Sequence, residues 1–362
     1  MLFNSLLNIF NIFLGFLNLK VLFSVLDIKT LDNFFVIQAI SLSICAIFIV
    51  SFETTFQNFI PKWDLKTSRI LFFKALFITS IFYIFFSIIY PTLIFLFPFA
   101  IFPLFLTYLY SRKQYTLSNI TNTITLILLI SLILIFKPKV LIEIFKIYFF
   151  VYLLSIIFLI FFIKPIIAFH LDVISKIWDY YKIAFLSSLT SPLYRYLDRF
   201  ILGFLGNVGD VSGFSLVRRI DNTFRQILNA PLSIATIEIS SDITYFNKFF
   251  PRYLLIAFIL FIFEIILGYL IILLVGGKEF IKFYPSLVVF SIAFLISAIF
   301  SILIIKRRVQ NEPKPFLIYN VSFVVLFLIF SIILFPIFQS LSIAISFLLS
   351  TIFSGFLALI KK

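Results

Sequence analysis

The chain has little of what soluble domains and enzymes are built from. Its one cysteine, Cys45, lies in an apolar run, which excludes a disulfide framework and a cysteine-based metal site. One histidine, His170, cannot build a metal cluster either. Nothing matches HExxH, CxxC, a P-loop, a glycine-rich dinucleotide turn or G-x-S-x-G, and no loop gathers an acid with a base, so enzymatic chemistry is disfavoured and no cofactor is implied. Charge is scarce as well, at 12% of residues where soluble domains average about 25%.

What fills the chain is apolar: 63% of 362 residues, with 55 phenylalanines. That is the composition of a polytopic membrane protein. A net charge of +14 would suggest nucleic acid in a soluble protein; here inward-facing loops account for it.

A membrane span needs roughly 20 predominantly apolar residues. Twelve stretches qualify as candidates: 2–25, 34–52, 70–90, 91–110, 118–136, 140–163, 183–205, 211–235, 253–275, 286–305, 317–335 and 337–360. The expected splits at Pro91 and Pro336 rest on short turns. The opening "MLFNSLLNIFNIFLGF" lacks a basic lead and a small-residue cleavage site, so it reads as the first span.

Basic residues orient the array. With the N-terminus inside, one set of loops holds Lys62, Lys66, Arg69, Arg112, Lys113, Lys164, Lys176, Lys182, Lys248, Arg252, Lys306, Arg307, Arg308 and Lys314, and the tail adds Lys361 and Lys362. The opposite loops hold only Lys29, Lys137, Lys139, Lys278 and Lys282. The positive-inside rule then places both termini in the cytoplasm. Lys20 and Lys74 fall near span ends and are expected to snorkel, and Lys146 is placed to pair with Glu143.

The connection 164–182 carries Phe169, Val173, Ile174, Ile177 and Trp178 at helical spacing, which suits a helix on the inner membrane surface. It divides the chain into an N-terminal lobe, 1–163, and a C-terminal lobe, 183–362. The expected fold class is an all-α membrane protein with two six-helix lobes around a central cavity.

Charge inside the spans gathers at one hairpin. "SPLYRYLDRFILGFLG", 191–206, holds Arg195, Asp198 and Arg199, and the next span holds Arg218, Arg219, Asp221 and Arg225. Each Arg or Asp at a span centre costs about 2.5–3.5 kcal/mol, and an apolar neighbour returns roughly 0.3–0.6. Such a face must meet other helices or a wet cavity. Arg195, Asp198 and Arg199 share one helix face. Arg218, Asn222, Arg225 and Asn229 form a stripe on the next helix, with Asp221 one turn from both Arg218 and Arg225. Two aspartates do not neutralise five arginines. One reading is a set of ion pairs that joins helices. The sharper one is a cationic site for an anionic substrate, since the arginine fork holds two phosphate oxygens at once.

In the first span Asn4, Asn8, Asn11 and Asn18 line one stripe. Interhelical hydrogen bonding and a sugar-binding wall are both compatible with it. Glu143 and Glu264 are the remaining candidate intramembrane acids, each able to take a proton or sodium ion as coupling ion.

The stretch "YRYLDRFILGFLGNVGDVSGFSLVRRI" resembles the Wzx-type polysaccharide flippases of the multidrug/oligosaccharidyl-lipid/polysaccharide superfamily, through Asp198, Arg199, Gly203, Gly213, Phe214 and Arg218, with Pro231 beyond. The second span, ending in "SFETTFQNFI", departs from that pattern by lacking a basic residue. The resemblance implies translocation of a polyprenyl-diphosphate-linked oligosaccharide, such as an O-antigen repeat unit, alongside other polysaccharide assembly proteins of the membrane. The residues themselves leave two alternatives: a glycan polymerase or ligase of the same pathway, or a cation or drug antiporter of the same superfamily. Short outer loops speak against the first, and the basic character of the hairpin against the second.

Overall fold

The computed structural model describes residues 2–167, 178, 181, 182, 185, 190–241, 244–309 and 314–360. Among them twelve α-helices follow one another: α1 (Leu2–Val25), α2 (Ile28–Phe59), α3 (Leu65–Ile89), α4 (Phe97–Ser111), α5 (Tyr115–Phe136), α6 (Leu141–Ile163), α7 (Thr190–Leu205), α8 (Asp210–Ser241), α9 (Tyr245–Val275), α10 (Tyr284–Val309), α11 (Lys314–Phe338) and α12 (Leu341–Ile360). Each expected span has its helix. Among the described residues ten segments are long and apolar enough to cross a membrane; α7, with 16 residues, and the charged α8 are not among them. The chain is a multi-pass membrane protein.

Helix ends follow from local chemistry. Asp27 caps α2 by accepting from the Thr30 N–H at 2.9 Å, and Asp64 caps α3 through the Thr67 N–H at 3.0 Å. Side-chain and backbone bonds from those threonines hold both carboxyls below the usual aspartate range. With 9 glycines in the chain, the left-handed turn that ends a helix falls to other residues. Lys113, Lys137, Lys164 and Gln339 take φ of 59°, 44°, 49° and 50°. A lysine there meets the negative end of the helix dipole, which offsets part of the strain.

Two expected boundaries move. The break at Pro91 is a 3-10 turn, Pro91–Leu96, before α4. Pro336 does not break α11: it lies inside the helix, and the chain turns at Gln339. A proline in the last turn removes only one hydrogen bond, so the left-handed residue sets the end. Lys74 is 6% exposed instead of snorkelling, because α3 starts at Leu65 and carries it deep into the bundle. Lys20 is exposed as expected.

The chain separates into two compact units, Met1–Leu197 and Asp198–Lys362, with the division inside α7. The amphipathic helix expected at 164–182 lies largely outside the described residues; of its neighbourhood, the Tyr181 ring packs against Phe52 and that of Phe185 against Phe48. In the first unit α1 lies along α5, and α4 along α2 and α6. Phe34, Phe99, Tyr148 and Tyr152 pack edge to face between them. In the second unit α12 packs on α10 and α11, while α8 meets α9 and α10.

A buried charge chain as the candidate functional site

The hairpin of α7 and α8 is set by its turn. The Asn207 N–H donates to Asp210 Oδ2 at 2.9 Å, and Gly209 takes φ of 93°. Gly213 then lets α8 approach the turn before α10: a Cβ there would fall 2.1 Å from the ring of Phe283.

This geometry threads four charges into one chain. Arg218 Nε donates to Asp198 Oδ2 at 3.1 Å, and its Nη1 donates to Asp221 Oδ2 at 2.6 Å. Arg225 Nε donates to Asp221 Oδ1 at 2.8 Å, and its Nη1 to Ser297 Oγ at 2.7 Å. The order Asp198–Arg218–Asp221–Arg225 alternates in sign and sums to zero. Its members are enclosed: Arg218 and Asp221 side chains are 3% and 0% exposed, and Arg225 15%. Burial strengthens each pair and raises the cost of losing a partner.

Aromatic faces complete the enclosure. The Arg218 guanidinium lies 4.9 Å from the Phe290 ring centroid and 4.6 Å from that of Phe347. Arg225 lies 5.5 Å from Phe294 and 5.4 Å from Phe347. A ring face attracts a cation weakly, so these contacts help hold the guanidiniums in place.

Glu264 of α9 is fully buried beside this chain, with Asp221, Arg225, Arg218 and Ser291 as its electrostatic neighbours. Neither of its carboxyl oxygens accepts a hydrogen bond of normal geometry, and the Ser291 hydroxyl close by donates to the Leu287 carbonyl at 2.9 Å. It is a third acid against two paired arginines, so the enclosed set is neutral only when Glu264 carries a proton or a monovalent cation.

The other expected residues fall in different places. Arg199 is half-buried on α7, Asn222 half-buried on α8, and Arg219 exposed. The side chains of Arg195 and Asn229 lie outside the described residues. Glu143 is not an acid within the bilayer core. It is exposed at the start of α6, where its carboxylate accepts from the Lys139 and Val140 N–H groups at 3.1 and 3.4 Å and caps the helix. Among the described residues Lys146 forms no ion pair with Glu143.

The asparagine stripe of α1 divides by burial. Thr123 Oγ1 donates to Asn11 Oδ1 at 2.7 Å, and Asn11 Nδ2 donates to the Asn119 carbonyl at 3.3 Å. Thr116 Oγ1 donates to Asn4 Oδ1 at 3.1 Å, and Asn18 Nδ2 to the Tyr148 hydroxyl at 3.3 Å. These three join α1 to α5 and α6, while Asn8 is exposed.

Sequence reasoning missed the aromatic clamp and the Ser297 contact. Among 55 phenylalanines, nothing singles out Phe290 or Phe347. The apolar crevice of about 200 Å³ between α5 and α6, lined by Thr121, Ile124, Leu128, Leu154, Ser155 and Phe158, includes none of the expected site residues.

No family model and no curated protein matches the sequence. Solved structures do match the fold. The lipid II flippase MurJ, in an inward closed conformation, superposes with a TM-score of 0.79 at 14% identity, over 99% of this chain and 87% of that one. A mutant of the MATE transporter VcmN from Vibrio cholerae gives a TM-score of 0.56 at 13% identity, over 99% and 93%. The likeness is one of fold.

Proposed function

We propose that this chain is a flippase that carries a polyprenyl-diphosphate-linked oligosaccharide, such as an O-antigen repeat unit, across the bacterial cytoplasmic membrane by alternating access and without covalent chemistry. The observation that carries the reading is the full-length fold shared with a lipid II flippase. The arginine hairpin supplies the chemistry. Arg195, Arg199, Arg218 and Arg225 hold the diphosphate, and Asp198 and Asp221 pair with Arg218 and Arg225 when none is bound. A diphosphate competes for the same forks and frees the carboxylates. Asn222 flanks the site on α8, Asn229 follows it two turns on in the sequence, and the exposed Asn8 is the residue of the α1 stripe that meets a sugar hydroxyl. Glu264 takes up the proton or sodium ion that keeps the enclosed charge balanced through the cycle.

Removal of the protein from its cell should leave complete lipid-linked units on the cytoplasmic leaflet, as read by leaflet-selective glycan labelling. Arg199→Ala should block export while the protein still inserts. Unpolymerised units found outside would instead identify a polymerase, and drug efflux with intact glycan export an antiporter. Full export by a variant lacking all four arginines would sink the diphosphate reading. Glu264→Gln, which fixes the neutral form, should keep the fold and lose the ion dependence of transport; unchanged response to proton and sodium gradients would remove Glu264 from the coupling role.

A further inference from the structure

A second set of arginines lies in the first unit, at the shared end of α3 and α4. Tyr108 on α4 is 2% exposed, with its ring held 6.0 Å from Phe56 and 4.7 Å from Phe72. That packing fixes the direction of its hydroxyl, yet the hydroxyl has no hydrogen-bond partner. The guanidiniums of Arg69 and Arg112 both act on it electrostatically. Arg112 follows Tyr108 by one turn at the end of α4, and Arg69 precedes Phe72 by one turn on α3, so the three come together from two adjoining helices. Arg69 Nε is itself closed off and without an acceptor. Among the described residues neither arginine joins an ion pair. The acid nearest in sequence, Asp64, is exposed and occupied in capping α3.

Two buried donors without an acceptor, Arg69 Nε and the Tyr108 hydroxyl, are costly unless an anion completes them. The level in the membrane points to its kind. Trp63 beside Phe59, and Tyr110 beside Tyr115, mark this end as an interfacial aromatic belt, with Lys66 and Lys113 exposed around it. Phosphate groups lie at that depth, and basic pockets between spans take them. Arginine forks bind two phosphate oxygens at once, and a tyrosine hydroxyl can supply a third bond.

We propose that Arg69, Arg112 and the Tyr108 hydroxyl form a phosphate-binding site at this membrane edge, filled by an anionic lipid headgroup or by a small soluble phosphate. It uses no residue of α7 or α8 and stands whether or not the flippase reading does.

The test uses the full chain in phosphatidylcholine nanodiscs, with two arms. In one, phosphatidylglycerol is added and its retention is read by native mass spectrometry. In the other, inorganic phosphate is titrated against chloride at equal ionic strength and thermal protection is read. Binding in the lipid arm alone assigns a headgroup, and protection by inorganic phosphate assigns a soluble ligand. Arg69→Gln with Arg112→Gln should weaken the bound anion by about tenfold or more, the effect of losing at least one charge-assisted hydrogen bond. Tyr108→Phe keeps the ring packing and should weaken it several-fold, which leaves the proposal testable if the arginine variant does not fold. Equal binding by the unaltered chain and by Tyr108→Phe and the arginine variant, or no binding in either arm, overturns it.

Discussion

The two units bury polarity in opposite ways. In the first, α1 is joined to α5 and α6 by uncharged groups: Asn4, Asn11 and Asn18 on one side, Thr116, Thr123 and Tyr148 on the other. In the second, α7 and α8 are joined by full charges, Asp198, Arg218, Asp221 and Arg225. Interhelical hydrogen bonds within membranes average only about 0.6 kcal/mol, because the separated helices find other partners. Breaking a buried ion pair costs about 3–5 kcal/mol, because one charge is left without compensation. The asparagine seam therefore tolerates the loss of any one member. The charge chain does not, and a ligand or ion that changes its pairing can shift the protein between states.

That contrast can be broken most severely at the charge chain. Asp221→Asn takes the carboxylate from Arg225 and leaves Arg218 with Asp198 alone, and unfolding of the purified protein should lose about 3–5 kcal/mol. Replacing all four charges with apolar residues of similar size should recover most of that stability while abolishing transport. Stability left low in the four-fold variant would mean the chain holds the fold and does no more. In the uncharged seam the expected loss is smaller: Asn11→Ala should cost about 0.6 to 1.7 kcal/mol in the same assay. Asn8→Ala, at an exposed position, should stay within about 0.5 kcal/mol. An Asn11 effect as large as that of Asp221 would erase the distinction between the units.

Much of the fold is legible in the residues. Twelve apolar stretches become twelve helices among the described residues, since a chain that buries its backbone in lipid must close every hydrogen bond within each segment. The errors lie where a local signal was given too much weight. Pro336 looked like a helix break, but its place in the last turn makes it tolerable, and Gln339 ends the helix instead. Lys74 looked interfacial because α3 was taken to begin later than Leu65. Glu143 looked like an acid in the bilayer, but the helix starts just before it and uses its carboxylate as a cap. Helical spacing alone brings Asp221 within one turn of Arg218 and Arg225, and the structure closes both pairs.

What no local pattern could give is the company those charges keep. The sequence alone determined that this is a membrane protein, where its helices run, and that one hairpin carries charge that lipid will not accept; composition and 3.6-residue periodicity suffice for that. Only tertiary structure decided that Asp198 closes on Arg218 across the hairpin, that Ser297, Phe290 and Phe347 from α10 and α12 complete the enclosure, and that Glu264 stands beside it with no hydrogen bond of normal geometry. Those partners lie tens of residues apart in the chain. Their meeting depends on how whole helices pack, and the same charges at the same spacing would serve a different packing equally well.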